Sequence, residues 1–276
     1  MSIKIIALDL DGTLLNSQKL ISPADYDALA RAAERGVYIV PTTGRFYDAM
    51  PEVVRQLPFV RYAITVNGAE VYDAAEKKVL HRAELEPDRA MAVYEYFESL
   101  PGICDCYMDG WGYMERSHYD RIDAYSPVPY VRTMLKELRT PVDDLKAFIR
   151  GRRVQKVMVF FADMERRALE LERVPAKFPD LLATSSIANN IEVNAAGANK
   201  GDALRFLCAH LGLDIGQSMS FGDGSNDLSM IRAAGVGVAM ANAYDGLKAE
   251  ADFVTLSCDQ GGVAHAVEKF VFGADA

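Results

Sequence analysis

An apolar run over residues 3–8, broken only by Lys4, reads as a strand buried on both faces. It stops abruptly in Asp9-Leu10-Asp11-Gly12-Thr13-Leu14. Ser22-Pro23 then opens a helix, with serine as N-cap and proline at the first helical position. Tyr26, Leu29, Ala30 and Ala33 recur on one face of that helix and Gly36 closes it. Residues 37–40 form a second β-rich run, so the opening of the chain has the spacing of a right-handed βαβ unit. A helix over about 47–57, a strand at 62–66, a turn at Asn67-Gly68 and a hairpin of 70–72 with 78–82 follow.

The pattern changes near Ala83. Pro87 opens a helix over about 88–99, and two alternating runs at 103–108 and 111–115 flank Asp109-Gly110, a strong hairpin signal. Residues 117–152 read as helical, rich in tyrosine and interrupted at Pro127, Pro129 and Pro141. A strand at 154–161, a helix over about 164–171 and strands at 181–185 and 190–193 complete this stretch. From Asn194 the first pattern resumes: a helix beyond Lys200, a strand at 219–222, a helix at 228–233, strands at 236–240 and 251–255, and a terminal helix over 262–270. These alternations predict an α/β domain of residues 1–83 and 189–276, interrupted by an antiparallel α+β domain at 84–188 that covers the strand ends of the first.

Composition adds bounds to this picture. The 276 residues are 50% hydrophobic and 25% charged, ordinary for a globular chain of one large or two smaller domains. A net charge of −9 argues against a nucleic-acid footprint, which needs a basic face. It also means that any phosphate site must be made locally positive by a metal, a lysine or backbone N–H groups. Cys104, Cys106, Cys208 and Cys258 form no C-x-x-C pair and read as buried thiols of a reducing cytoplasm. The four histidines show no metal-ligand spacing. No signal peptide and no apolar run long enough to span a bilayer is expected.

The candidate chemistry sits at strand ends, where open α/β sheets place their ligands. Asp9 and Asp11, two apart on an extended chain, should present two carboxylates to one space. Such a pair either shares a cation such as Mg²⁺ or keeps one member protonated as a general acid. A phosphate-ester hydrolase can use one aspartate as nucleophile and the other to protonate the leaving oxygen. The plain alternative is a strand-end turn, where Asp and Gly are common. Thr43-Gly44-Arg45 follows the second strand and offers a hydroxyl and N–H groups to an anion; its plain alternative is a helix cap. Lys200 stands at a helix start, where the dipole disfavours a cation. Gly222-Asp223-Gly224-Ser225-Asn226-Asp227 is a second acidic cluster between a strand and a helix.

In order along the chain, Asp-x-Asp-Gly-Thr, Thr-Gly-Arg, Asn-Lys-Gly and Gly-Asp-x-x-Asn-Asp match the four motifs of the haloacid dehalogenase (HAD) superfamily. The likeness covers essentially the whole sequence, and the insert resembles a C2-type cap, as in the Cof-like phosphatase branch. The resemblance implies a Rossmann-like parallel sheet core with helices on both faces, and a Mg²⁺-dependent phosphatase of small phosphorylated metabolites, sugar phosphates foremost. It implies Asp9 as the nucleophile that becomes an aspartyl phosphate, and Asp11 as general acid and then base. Thr43, with Gly44, would hold the phosphoryl group, and Lys200 would neutralise it. Asp223 would complete a metal site with Asp9 and the backbone carbonyl of Asp11. Asn226 and Asp227 would support the metal waters and the lysine, and Arg45 would face the cap or substrate. A phosphomutase and a non-catalytic phosphometabolite sensor stay open as alternatives, and a monomer or weak homodimer is expected. Tyr107, Trp111 and Tyr113 of the insert read as packing their own sheet, with the leaving group as the other option.

Overall fold

The apolar run at the N-terminus forms the strand Ile5–Leu8 in this computed structural model, which describes residues 2–126, 128–185 and 187–273. Its four side chains are fully buried, as a central parallel strand requires. The strand lies between Ser218–Gly222 and Tyr38–Pro41 and runs parallel to both. Val236–Ala239 and then Phe253–Val254 extend the sheet, again in parallel. The chain therefore winds one way from Ile5–Leu8 to Tyr38–Pro41 and the other way through the three C-terminal strands. Such a reversal opens a crevice at the carboxyl ends of the strands on either side of it.

Alternation along the first strand explains the layers. Ile6 and Leu8 join Ile39, Met219 and Phe221 in one apolar cluster with Ala28 and Leu29 of helix Pro23–Glu34 and with Val263 and Ala266 of helix Gly262–Val267. Ile5 and Ala7 face the other way, onto Leu204 and Leu207 of helix Lys200–His210 and Met230 of helix Leu228–Ala233. A Rossmann-like sheet covered on both faces results. Two local expectations change. The helix over 47–57 is two short turns, Tyr47–Ala49 and Glu52–Arg55, because Pro51 interrupts it. The 62–66 run ends one residue early, and Tyr62–Thr65 joins Glu70–Asp73 and Lys78–Arg82 in a separate three-stranded sheet.

Two compact units emerge: Met1–His81 with Asn199–Ala276, and Arg82–Ala198. The second unit runs to Ala198 rather than 188, because Asn190–Ala195 pairs with Lys156–Phe161 and belongs to its six-stranded sheet. Asp109 and Gly110 both take the positive φ of the expected hairpin turn. Within the 117–152 stretch, read as helical, Arg139–Val142 is instead an edge strand parallel to Trp111–Glu115, a position that tolerates Pro141. Pro127 lies outside the described residues.

One face of this sheet, with Cys104, Cys106, Val157, Val159, Ile191 and Val193, packs an apolar core with helix Pro87–Glu98. The other face carries buried charge: Asp105 pairs with Arg139, and Lys156 with Glu192 at 3.2 Å. The Tyr107 ring meets both cations, with Arg139 Cζ at 4.7 Å and Lys156 Nζ at 4.6 Å from its centroid. Tyr113 instead packs on Phe148 within the apolar layer, and Trp111 Nε1 donates to Thr140 Oγ1.

Candidate active site

Asp9 extends the sheet ladder by one residue, donating its N–H to the Phe221 carbonyl at 3.0 Å, so its side chain leaves from the tip of the first strand. Lys200 reaches the same point from the start of its helix, where Asn199 Oδ1 caps the Asp202 N–H at 2.9 Å. The Lys200 side chain is fully buried, with Nζ 2.6 Å from Asp9 Oδ1 and 2.5 Å from Asp227 Oδ1. Burial alone would weaken its proton, but the two carboxylates outweigh burial and hold the ammonium charged. They also offset the helix dipole that disfavours a lysine there.

The acidic loop is built around Asp227. Its Oδ2 accepts the N–H groups of Asp223 at 2.9 Å and Gly224 at 2.8 Å, while Oδ1 holds Lys200. Asp223 Oδ1 accepts the Thr13 hydroxyl at 3.0 Å, tying the two acidic motifs together. Gly12 makes that approach possible: its φ is +85°, and a Cβ there would stand 2.4 Å from Asp223 Oδ2. Gly12→Ala is expected to cost about 1–3 kcal/mol, read as a lowered urea midpoint. An unchanged midpoint would show that Asp223 moves aside freely.

Asp9, Asp223 and Asp227 each bring a carboxylate oxygen within 4.8 Å of the others. Burial, with Asp227 and Asp223 nearby, pushes the Asp9 carboxyl up to about 8 against the pull of Lys200. Burial and then Asp227 push Asp223 up to about 6. One lysine is thus too little charge for this group, and a divalent cation fits it. Asp227 accepts hydrogen bonds on both oxygens, whereas Asp9 and Asp223 each accept one on Oδ1 alone and so have the most to offer such an ion.

Asp11 lies close enough to the same acidic group to help raise the pKa of Asp223. The strand ends at Leu8, and the Asp11 carboxylate is turned to Lys19 Nζ at 2.7 Å and Arg45 Nη2 at 2.7 Å. Burial would raise its pKa, but Arg45 and Lys19 outweigh burial and hold it below the ordinary value. Arg45 therefore faces Asp11. Thr43 is buried beside the Tyr62–Thr65 strand, its N–H donating to Ile64 at 2.9 Å. Its Oγ1 accepts the Arg45 N–H at 3.2 Å, which leaves the hydroxyl hydrogen to donate. Asn226 donates Nδ2 to Asn67 Oδ1 at 3.1 Å.

The sequence motifs thus converge at one end of the parallel sheet. Lys19, Asn67 and Asn242 were missed. Lys19 lies in a polar turn past the first motif, and Asn67-Gly68 signals only a turn. Asn242 donates to the Gly12 carbonyl at 2.8 Å from a loop with no motif of its own.

The model of the haloacid dehalogenase-like hydrolases matches residues 6–267. A Bacillus subtilis protein named 5-amino-6-(5-phospho-D-ribitylamino)uracil phosphatase YcsE is 33% identical over 275 residues, covering 98% of this chain and 97% of that protein. Phosphatase YwpJ of the same organism is 29% identical over 286 residues, covering 97% and 100%. The solved structure of a haloacid dehalogenase-like hydrolase from B. subtilis superposes with a TM-score of 0.80 at 28% identity, covering 96% of this chain and 99% of that one. With a family match that runs from the first strand to the last helix, the chain belongs to the haloacid dehalogenase-like hydrolases and is an enzyme of their phosphatase kind.

Proposed function

We propose that this enzyme is a Mg²⁺-dependent phosphohydrolase of small phosphorylated metabolites, sugar phosphates foremost, working through an aspartyl phosphate on Asp9. The observation that carries this reading is the Asp9 carboxylate, held at 2.6 Å by a buried lysine and grouped with two further acids at the sheet's carboxyl edge. The phosphorylated ribityl chain in the name of the 33%-identical relative supports the same substrate class.

Charge explains the parts. Once Asp9 is ionised, as a nucleophile must be, Asp9, Asp11, Asp223 and Asp227 face Lys19, Arg45 and Lys200, a surplus of negative charge that repels a phosphate dianion. Mg²⁺ held by Asp9, Asp223 and the backbone carbonyl of Asp11 would, when bound, reverse that sign and polarise the phosphoryl oxygens. An Asp9 oxygen attacks phosphorus as the bond to the leaving oxygen breaks. Lys200 offsets the charge on Asp9 and on the phosphoryl group, while the Thr43 hydroxyl and Gly44 N–H orient the latter. Asp11 gives the leaving oxygen its proton. Water then attacks phosphorus, Asp11 takes the water's proton, and the Asp9–phosphorus bond breaks to free phosphate. Between Lys19 and Arg45, Asp11 is a carboxylate, the form that accepts a proton. Donating one requires Lys19 or Arg45 to give way. The four cysteines, all free and buried, support a reducing, cytoplasmic setting.

The test is a hydrolysis screen on p-nitrophenyl phosphate and a broad panel of phosphorylated metabolites. Hydrolysis of small phosphate monoesters is expected. EDTA should remove nearly all turnover and added Mg²⁺ should restore it. Turnover that ignores EDTA would sink the metal's part, and no phosphate release on any member would sink the reading. Isomerised sugar phosphate without free phosphate would instead mark transfer to a sugar hydroxyl.

A further inference from the structure

The strand Tyr62–Thr65 ends in three consecutive residues with positive φ: Val66 at 51°, Asn67 at 57° and Gly68 at 97°. A β-branched residue rarely takes this conformation, which costs free energy that an ordinary turn avoids. All three residues are buried, and between them they touch three parts of the site. Val66 N–H donates to the Arg45 carbonyl at 2.9 Å, and Asn67 N–H to the Thr43 carbonyl at 3.0 Å. Asn67 Oδ1 accepts Asn226 Nδ2 at 3.1 Å, and it fills the space over Gly44, where a Cβ would lie 2.8 Å away. Gly68 packs on the start of the Lys200 helix: a Cβ there would be 2.2 Å from the Asn199 carbonyl oxygen and 2.9 Å from Lys200 N. The strained turn thus joins the Thr43–Arg45 loop, the Asn226 loop and the Lys200 helix, three pieces far apart in sequence.

The geometry points to Asn67 as a positioning residue for phosphoryl transfer, its amide fixing Asn226 and the Gly44 backbone in one register around the phosphoryl group. This rests on the phosphatase reading above. Backbone and side-chain roles separate cleanly here. Glycine keeps the left-handed conformation and removes the amide; alanine removes the amide and strains the backbone as well.

Asn67→Gly is therefore expected to melt within a few degrees of wild type, yet to lose kcat/KM on p-nitrophenyl phosphate by about tenfold or more, as small misplacements do. Asn67→Ala should share that loss and melt lower. Because Asn67 acts through Asn226, the double variant Asn67→Gly with Asn226→Ala should be little worse than the poorer single variant. Inhibition by inorganic phosphate should weaken in parallel. An Asn67→Gly enzyme with wild-type kcat/KM would overturn the proposal, and so would losses that multiply in the double variant. Should Asn67→Gly fail to fold, Asn67→Ser carries the same cycle. A wild-type protein inert on every ester would count against the phosphatase reading alone, and the cycle would then be run on affinity for inorganic phosphate.

Discussion

Asp9→Asn is expected to abolish phosphate release from p-nitrophenyl phosphate while leaving the fold intact. The amide keeps the shape of the carboxylate, and its oxygen can still accept the Lys200 ammonium that now lies 2.6 Å from Asp9 Oδ1. What it loses is the negative charge and the nucleophilicity needed to form a bond to phosphorus. Because nucleophile, acid and lysine act as a unit, the fall in kcat should be on the order of 10⁴-fold or more. Stability should move the other way. Without metal, burial and the neighbouring Asp227 and Asp223 push the Asp9 carboxyl up to about 8, so the folded protein prefers that position uncharged. In EDTA the variant should therefore melt at or above wild type. In Mg²⁺ the order should reverse, since an ion at 100 times its Kd stabilises by about 2.7 kcal/mol and the variant has lost one anionic ligand. Undiminished turnover in the variant would remove Asp9 from the nucleophile's role.

How much of this was legible beforehand follows from what each feature depends on. The parallel core was legible because Ile5–Leu8, Tyr38–Pro41 and Ser218–Gly222 are short apolar runs that break off in glycine and polar residues. Turn chemistry is local, so Asp9, Thr43 and Asp223 could be placed at strand ends from their neighbours alone. The partners of Asp11 could not, because Lys19 and Arg45 stand 8 and 34 residues away and meet its carboxylate only in three dimensions. The left-handed Val66 was invisible for the opposite reason: local preference argues against it, and it is tied in place by long-range contacts, its own N–H bonding the Arg45 carbonyl and the following Gly68 packing on the Lys200 helix. Arg139–Val142 was hidden by Pro141, which argues against a central strand but not an edge. The buried charges Asp105, Arg139, Lys156 and Glu192 defeat the rule that a sheet's polar face meets water.

Lys200→Met should show whether the buried lysine is structural, catalytic or both. The side chain is fully buried, and removing its charge leaves the Asp9 and Asp227 carboxylates without their shared counter-ion. Breaking a buried pair by deleting one partner costs about 3–5 kcal/mol. The lower end is expected, because two N–H groups still hold Asp227 Oδ2 and Asp9 can take up a proton. For a unit of this size that is a fall in melting temperature of roughly 6–12 °C. Turnover should fall roughly 10²–10³-fold, the loss seen when one donor to developing charge is removed. Adding Asp227→Asn separates the two effects. The amide oxygen can still accept the Asp223 and Gly224 N–H groups while the stranded charge disappears, so most of the lost stability should return. Turnover should not, because the phosphoryl group and Asp9 still lack their cation. If the second substitution restored both, Lys200 would be a structural counter-ion to Asp227 alone. If neither variant moved turnover, the charge that carries phosphoryl transfer would have to come from elsewhere in the site.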